Sequence, residues 1–182
     1  HGHGHSHGHG PSRDLDAIKR LIKSGSGLSG CRKQAVKAFE LLARAEAETH
    51  GTSVENVHFH EVGAIDSIID TVGCCLAVKL LGAAEVHCSP LPWGSGTVRT
   101  AHGLLPVPAP ATLRLLQGVP TRPGPPVEGE LCTPTGVALV RSLVGSDPAR
   151  WGRPPQGFTA TSVGLGAGTK DFKGHPNVLR VV

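Results

Sequence analysis

The sequence predicts a mixed α/β fold, built from helices and short strands, with a long functional loop rich in proline and glycine. Apolar residues recur at helical spacing in several stretches, and short segments between turn residues are typical of strands. Proline and glycine concentrate between residues 90 and 108, and a connection of that length usually has a function. With 182 residues, 38% of them apolar, the chain is long enough to bury a core.

The first ten residues alternate histidine with glycine or serine, so they contain nothing that could build a core. Imidazole suits nickel, copper and zinc, and glycine spacers let a chain wrap around an ion. We therefore predict a flexible metal-binding arm over residues 1–12 and an α/β domain over residues 13–182. A linker with incidental histidines and an expression tag are the alternatives. The predicted ligands in the arm are His1, His3, His5, His7 and His9.

Helix predictions follow from apolar spacing and from residues that favour helix ends. A first helix is predicted from Leu15 to Ile22, and a second over residues 29–50 with Gly51 as its cap. A third is predicted over residues 64–81. Its buried residues are expected to be Ile65, Ile68, Ile69, Val72 and Leu76, and its other face is expected to carry Asp66, Asp70, Gly73 and Ala77.

Shorter elements follow in the second half of the chain. Helices are predicted over residues 108–117 and over residues 133–144, where Thr133 is the N-cap and Pro134 the first helical residue. Strands are predicted over residues 85–89, 158–164 and 177–182. The glycine-rich residues 164–169 are interpreted as a tight turn rather than a phosphate cradle, because the full phosphate-loop pattern is missing.

Potential metal ligands are densest between residues 58 and 70. If residues 58–60 are extended, His58 and His60 point to the same side. Asp66 and Asp70 lie one helical turn apart, where carboxylates repel each other unless a cation or proton intervenes. Alternatively, the aspartates only stabilise the start of the helix through its dipole, and the histidines are ordinary strand residues. Taken together, the pattern predicts one site containing His58, His60, Glu61, Asp66 and Asp70, with His102 approaching from the long loop.

Composition excludes several classes of protein. Aromatic residues make up 3% of the chain, and lysine and arginine are scattered along it, so we do not expect nucleic-acid binding. No membrane span or secretory signal is apparent. Five cysteines without a CxxC pair indicate reduced, cytoplasmic usage, and the adjacent Cys74 and Cys75 are expected to be small core residues.

Four segments, taken in order, carry a family resemblance. They are HFHEVGAIDSIIDTVG, SPLPWGSGTVRTAHGLLPVPAPAT, GELCTPTG and GAGTKDFKGHPNVLRV. Over nearly the whole chain they resemble the nickel-pincer cofactor biosynthesis family LarC, whose members often carry a His-rich insertion. Family members also have an opening glycine-rich turn and a carboxy-terminal cytidine-nucleotide-binding portion. This sequence lacks both, so the domain is expected to be incomplete at both ends.

The resemblance implies roles for individual residues. Nickel is expected to bind His58, His60 and Asp66 together with the arm histidines, while Glu61, Asp70 and His102 are the candidate catalytic residues. Residues of the other segments are expected to bind cofactor. They are Gly94, Gly96, Thr133 and Thr135.

The implied function is insertion of nickel into pyridinium-3,5-bisthiocarboxylic acid mononucleotide by a CTP-dependent nickel chelatase, a metal-inserting lyase. The product would activate nickel-pincer-dependent enzymes such as lactate racemase. CTP and a divalent metal are expected to bind outside this stretch of chain. Expected partners are the precursor and the recipient enzyme, with self-association left open. The alternatives are a nickel storage or chaperone protein without chemistry and a metal-dependent hydrolase.

Overall fold

The computed structural model describes residues 13–59, 65–100 and 103–182, and it confirms a mixed α/β fold. Its helices are α1 (Leu15–Ser24), α2 (Arg32–His50), α3 (Ile65–Leu80), α4 (Pro110–Leu116) and α5 (Pro134–Val144). Its strands are β1 (Arg13–Asp14), β2 (His58–Phe59), β3 (Leu91–Pro92), β4 (Thr97–Thr100), β5 (Gly103–Pro106), β6 (Thr121–Arg122), β7 (Gly164–Ala167) and β8 (Val178–Val181). Among the described residues, none of the helices combines the length and apolarity that a membrane crossing requires.

Helix α2 is the centre of the core and packs against the other four helices. Phe39 and Leu42 on its inner face are almost fully buried. The alanines beside them, Ala35, Ala38 and Ala43, are equally inaccessible, so neighbouring helices approach the α2 backbone closely. Burying one large side chain such as Phe39 contributes about 2–3 kcal/mol, so α2 is the element that holds the others in position.

The helix ends are set by local hydrogen bonds. Asp14 Oδ1 accepts from the Ala17 N–H at 2.6 Å and caps α1. Gly51 adopts the left-handed conformation, with φ 62°, and ends α2 as predicted. Thr133 caps α5 as predicted, because its hydroxyl accepts from the Gly136 N–H at 3.1 Å.

The described strands form two-stranded pairs. β1 pairs antiparallel with β2, so that Asp14 lies opposite His58. β3 and β6 are parallel, whereas β4–β5 and β7–β8 are antiparallel hairpins. Since a two-stranded sheet is marginally stable by itself, such pairs depend on what packs beside them.

Two predictions before residue 110 are wrong. Residues 85–89 do not form a strand: Cys88 alone makes a bridge, with Trp151, while the Glu85 side chain bonds to Arg150 at 3.0 Å instead of facing a core. The predicted loop over residues 90–108 contains β3 and the β4–β5 hairpin. Its prolines fall at strand ends, where a missing N–H interrupts no ladder, so they do not prevent a hairpin.

A third correction concerns residues 158–169. The predicted strand over residues 158–164 is absent, and β7 is formed by the glycine-rich Gly164–Ala167 that we interpreted as a turn. Glycine lowers strand stability without forbidding the conformation, and here Leu165 and Ala167 pair with Arg180 and Val178. The prediction of a strand over residues 177–182 is confirmed by β8.

Candidate functional site

The predicted ligands divide into two sets. His58, Asp66 and Asp70 lie in the described part of the chain. The remaining predicted ligands and catalytic residues lie outside the described residues. They are His1, His3, His5, His7, His9, His60, Glu61 and His102.

β2 positions His58 through its neighbour. The Phe59 side chain is 3% exposed, and its ring meets that of Phe39 edge to face, with 6.4 Å between the centroids. Since consecutive residues of a strand face opposite sides, burial of Phe59 places His58 on the exposed side, as observed. The buried ring therefore anchors the point from which residues 60–64 begin.

Helix α3 carries the two aspartates on its exposed face. Asp66 lies in the first turn, where the helix dipole favours a negative charge, and Asp70 follows one turn later. Gly73 and Ala77 share this exposure, as predicted. The first candidate carboxylate and the anchored end of β2 thus lie on either side of residues 60–64.

The predicted buried face of α3 is partly wrong. Ile68 is buried as expected, but Ile65 is 48% exposed and Ile69 is 62% exposed. Thr71 and Cys75 take the inner positions instead. Because α3 is apolar on nearly all sides, its spacing left the buried face undetermined, and packing against α2 and α5 decides it. Apolar side chains consequently flank the aspartates.

We did not predict that Cys74 lies on the exposed face of α3. It is exposed, not a core residue as we predicted, and it lies one helical turn after Asp70. Partial burial of its sulfur, and then the Asp70 carboxylate, raise the pKa of the Cys74 thiol. Cys75 is a core residue as predicted, and burial, then Cys31 and Cys74, raise its pKa to about 12. The four-residue spacing from Asp70 is the signal that could have identified Cys74.

Within residues 13–59, 65–100 and 103–182, no three His, Cys, Asp or Glu side chains lie close enough together to hold a metal ion. The predicted group of His58, His60, Glu61, Asp66 and Asp70 includes two residues outside these ranges. The grouping therefore stays a prediction. All three described members are exposed, so each is accessible to an ion from solvent.

The predicted cofactor-binding residues also have structural roles. A side chain at Gly94 would collide with the carbonyl oxygen of Gly129, and Gly96 has φ 78°, a conformation that favours glycine. Thr133 is the N-cap of α5, and Thr135 is half-buried within that helix. Cofactor binding at these four positions stays a prediction.

Comparison with known proteins gives consistent matches. The family model for nickel insertion proteins matches residues 1–182. A Myxococcus xanthus relative is 49% identical over 173 residues, covering 93% of this chain and 42% of the relative. A Geotalea uraniireducens relative is 46% identical over 180 residues, covering 99% of this chain and 45% of the relative. The names of both describe nickel insertion.

A Staphylococcus epidermidis relative is named pyridinium-3,5-bisthiocarboxylic acid mononucleotide nickel insertion protein. It is 44% identical over 170 residues, which cover 93% of this chain and 41% of the relative. The chain thus spans between 41% and 45% of the length of these relatives. No solved structure matches it significantly. The match along all 182 residues shows that the chain belongs to the nickel insertion protein family.

Proposed function

We propose that this chain takes part in inserting nickel into pyridinium-3,5-bisthiocarboxylic acid mononucleotide, yielding the nickel-pincer cofactor for enzymes such as lactate racemase. The substrate is the one in the name of the Staphylococcus epidermidis relative. The observation that carries the proposal is the exposure of His58, Asp66 and Asp70 on both sides of residues 60–64, in the segment with the densest potential ligands. The buried Phe59 and the packed helix α3 hold the residues on either side of residues 60–64 in position.

The proposed ligands suit transfer of nickel rather than storage. Imidazole and carboxylate bind nickel through nitrogen and oxygen, and the precursor offers softer sulfur from two thiocarboxylic acids. Nickel can therefore pass from a weaker set of ligands to a tighter one. His58, His60 and Asp66 are the proposed ligands on the chain, with the arm histidines increasing capture.

The proposed insertion also requires a base. When a nickel–carbon bond forms at the pyridinium ring, the ring carbon gives up a proton, which a side chain of the protein accepts. Asp70, Glu61 and His102 are the candidates, and Asp70 is the one that the structure describes. A positioned general base typically contributes a rate factor of about 10²–10⁴.

CTP and a divalent metal also belong to the proposed reaction, and two candidate features of the described residues do not fit them. The glycine-rich segment that could have cradled a phosphate is strand β7, whose backbone is paired with β8. In the described ranges no group of acidic or histidine side chains could hold the second metal. We propose that both bind outside this part of the molecule.

We also propose a cytoplasmic setting and a nickel-pincer-dependent enzyme as recipient. All five cysteines are free thiols, which fits a reducing compartment. A metal-inserting lyase in that compartment would release its product directly to the enzymes that use it.

A chimera tests the proposed function. The chain replaces the matching part of the Staphylococcus epidermidis relative, and the product is incubated with nickel, the precursor and CTP. We expect mass spectrometry to detect the nickel adduct of the precursor. The unmodified relative is the positive control, and a chimera with His58, His60 and Asp66 replaced by alanine is the negative control. A folded chimera that yields no adduct while the relative does would refute the proposal, as would adduct from the triple variant.

A further inference from the structure

Cations that are scattered in the sequence come together on one side of the α1–α2 helix pair. A groove of about 500 Å³ is lined by Lys23 at the end of α1 and by residues of the exposed face of α2. We call it the basic groove. Its lining residues from α2 are Arg32, Lys33, Val36, Lys37, Glu40, Leu41 and Arg44. Lysine and arginine, although scattered along the sequence, thus gather on one face of α2.

The positive charge of the basic groove is largely uncompensated. Glu40, its acidic member, already pairs with Lys19 at 2.8 Å. The side chains of Lys33, Lys37 and Arg44 make no ion pair or hydrogen bond with any residue of the described ranges, and neither does that of Lys23. Lys33 and Lys37 lie one helical turn apart, where like charges lower helix stability. A surface that served stability alone would alternate its charges.

The positive surface continues past the end of the basic groove. An adjoining depression of about 290 Å³ shares Leu41 and Arg44 with it and adds Arg114 and Arg141. Glu48, its acidic member, approaches Arg114 at 3.9 Å. The charge thus extends along α2 instead of being focused on one point.

The shape and floor of the basic groove indicate the kind of partner. Lys33 and Arg44 are eleven residues apart on α2, a distance of about 16 Å, which is longer than a single phosphate group covers. The floor is apolar, formed by Val36 and Leu41, and no aromatic ring of the described residues lines the groove for bases to stack on. His58, Asp66 and Asp70, the described members of the proposed nickel site, do not line it.

We propose that the basic groove binds an acidic, amphipathic segment of a partner protein. Carboxylates of that segment pair with Lys33, Lys37 and Arg44, while its apolar side chains cover Val36 and Leu41. Such a surface would speed association by electrostatic steering and would select partners by charge. Nickel insertion itself would not require it.

Peptide binding tests this proposal directly. The probe is a short fluorescent helical peptide with leucines on one face flanked by glutamates, and binding to the whole chain is followed by anisotropy at low and physiological salt. We expect K33Q/K37Q/R44Q to weaken binding by about ten-fold or more. The matched control R99Q/R153Q/K173Q removes the same charge from exposed positions elsewhere and should bind like the native chain.

Three competing probes separate the alternatives. A scrambled peptide of the same composition should bind more weakly, because its leucines no longer form one face. Duplex DNA and inorganic tripolyphosphate should also bind more weakly than the amphipathic peptide. Equal binding of the scrambled peptide, tighter binding of either phosphate probe, or an equal loss in the control variant would overturn the proposal. Circular dichroism of each variant identifies any that fails to fold, and K33Q alone then serves as the milder substitution.

Discussion

Asp70 lies one helical turn after Asp66 and one turn before Cys74 on the exposed face of α3. Its carboxylate repels a negative charge on the Cys74 sulfur: partial burial, and then this carboxylate, raise the pKa of Cys74. Asp70 can therefore act in two ways, as a nickel ligand or as the base that accepts the ring proton. Substitutions at Asp70 and His60 distinguish these roles.

Replacing His60 with alanine should weaken nickel binding and product formation together, because it removes a ligand. Asp70→Asn should leave nickel affinity within a few-fold of normal but slow insertion by about 10²-fold or more, if the carboxylate is the base. Calorimetry measures the nickel affinity, and adduct formation by the chimera measures the rate of insertion. Asp171→Asn, at an exposed position in the loop between β7 and β8, is the control. A parallel loss of affinity and rate in Asp70→Asn would make Asp70 a ligand and leave Glu61 or His102 as the base.

Alkylation of Cys74 should report the charge state of Asp70. A thiolate reacts with a maleimide and a thiol does not, so the rate rises with pH towards the pKa. Asp70→Asn removes a negative charge, lowers the pKa of Cys74 and should speed its labelling at any fixed pH below that pKa. Nickel bound at Asp70 should have the same effect in the native chain. Unchanged labelling in both cases would show that Asp70 does not act on this thiol.

Labelling sites are assigned by mass spectrometry, with Cys74→Ser as the control. Cys75 should remain slow throughout, because burial, then Cys31 and Cys74, raise its pKa to about 12.

At the scale of elements, the residues that cap helices were the most reliable guide to where helices begin and end. Gly51 and Thr133 placed two helix ends correctly, because a cap depends on a few neighbouring atoms. The buried face of α3 depended instead on what packs against it, so its uniform apolarity misled the assignment of Ile65 and Ile69. The β4–β5 hairpin and strand β7 were missed because proline and glycine were taken as signs of loops.

Thr133 allows a test of structural against cofactor-binding roles. Thr133→Ala should lower the free energy of unfolding by about 1 kcal/mol, because the Gly136 N–H loses its acceptor. Thr133→Ser keeps the hydroxyl and should restore most of that stability. Urea unfolding measures both variants. Loss of adduct formation in both, with stability unchanged, would show that Thr133 binds cofactor and that its cap contributes little.

At the scale of the whole molecule, features formed within one segment of sequence could be predicted, whereas features formed by separate segments could not. The candidate nickel site could be predicted because most of its proposed members lie within residues 58–70 and share one segment of sequence. The basic groove was not predicted, since its residues on α2 alternate with others along the sequence and Lys23 joins them from α1. Pairing partners such as Asp14 and His58 were missed for the same reason.

The His-rich arm should tune nickel capture without being essential for transfer. Its glycine spacing favours loose binding of an ion, and the arm is separate in sequence from residues 58–70. Deleting residues 1–10 should therefore raise the nickel concentration needed for half-maximal adduct formation while leaving the rate at saturating nickel unchanged. Loss of adduct formation even at saturating nickel would assign an essential role to the arm.

The central claim is that residues 58–70 hold nickel through imidazole and carboxylate groups. X-ray absorption at the nickel edge tests it most directly, on the nickel-loaded chain without residues 1–10 so that the arm does not contribute. We expect nitrogen and oxygen ligands with imidazole scattering, and loss of that scattering in the His58→Ala, His60→Ala variant. Sulfur ligands at the bound ion, or a spectrum unaltered by the double substitution, would contradict the assignment and shift attention to Cys74.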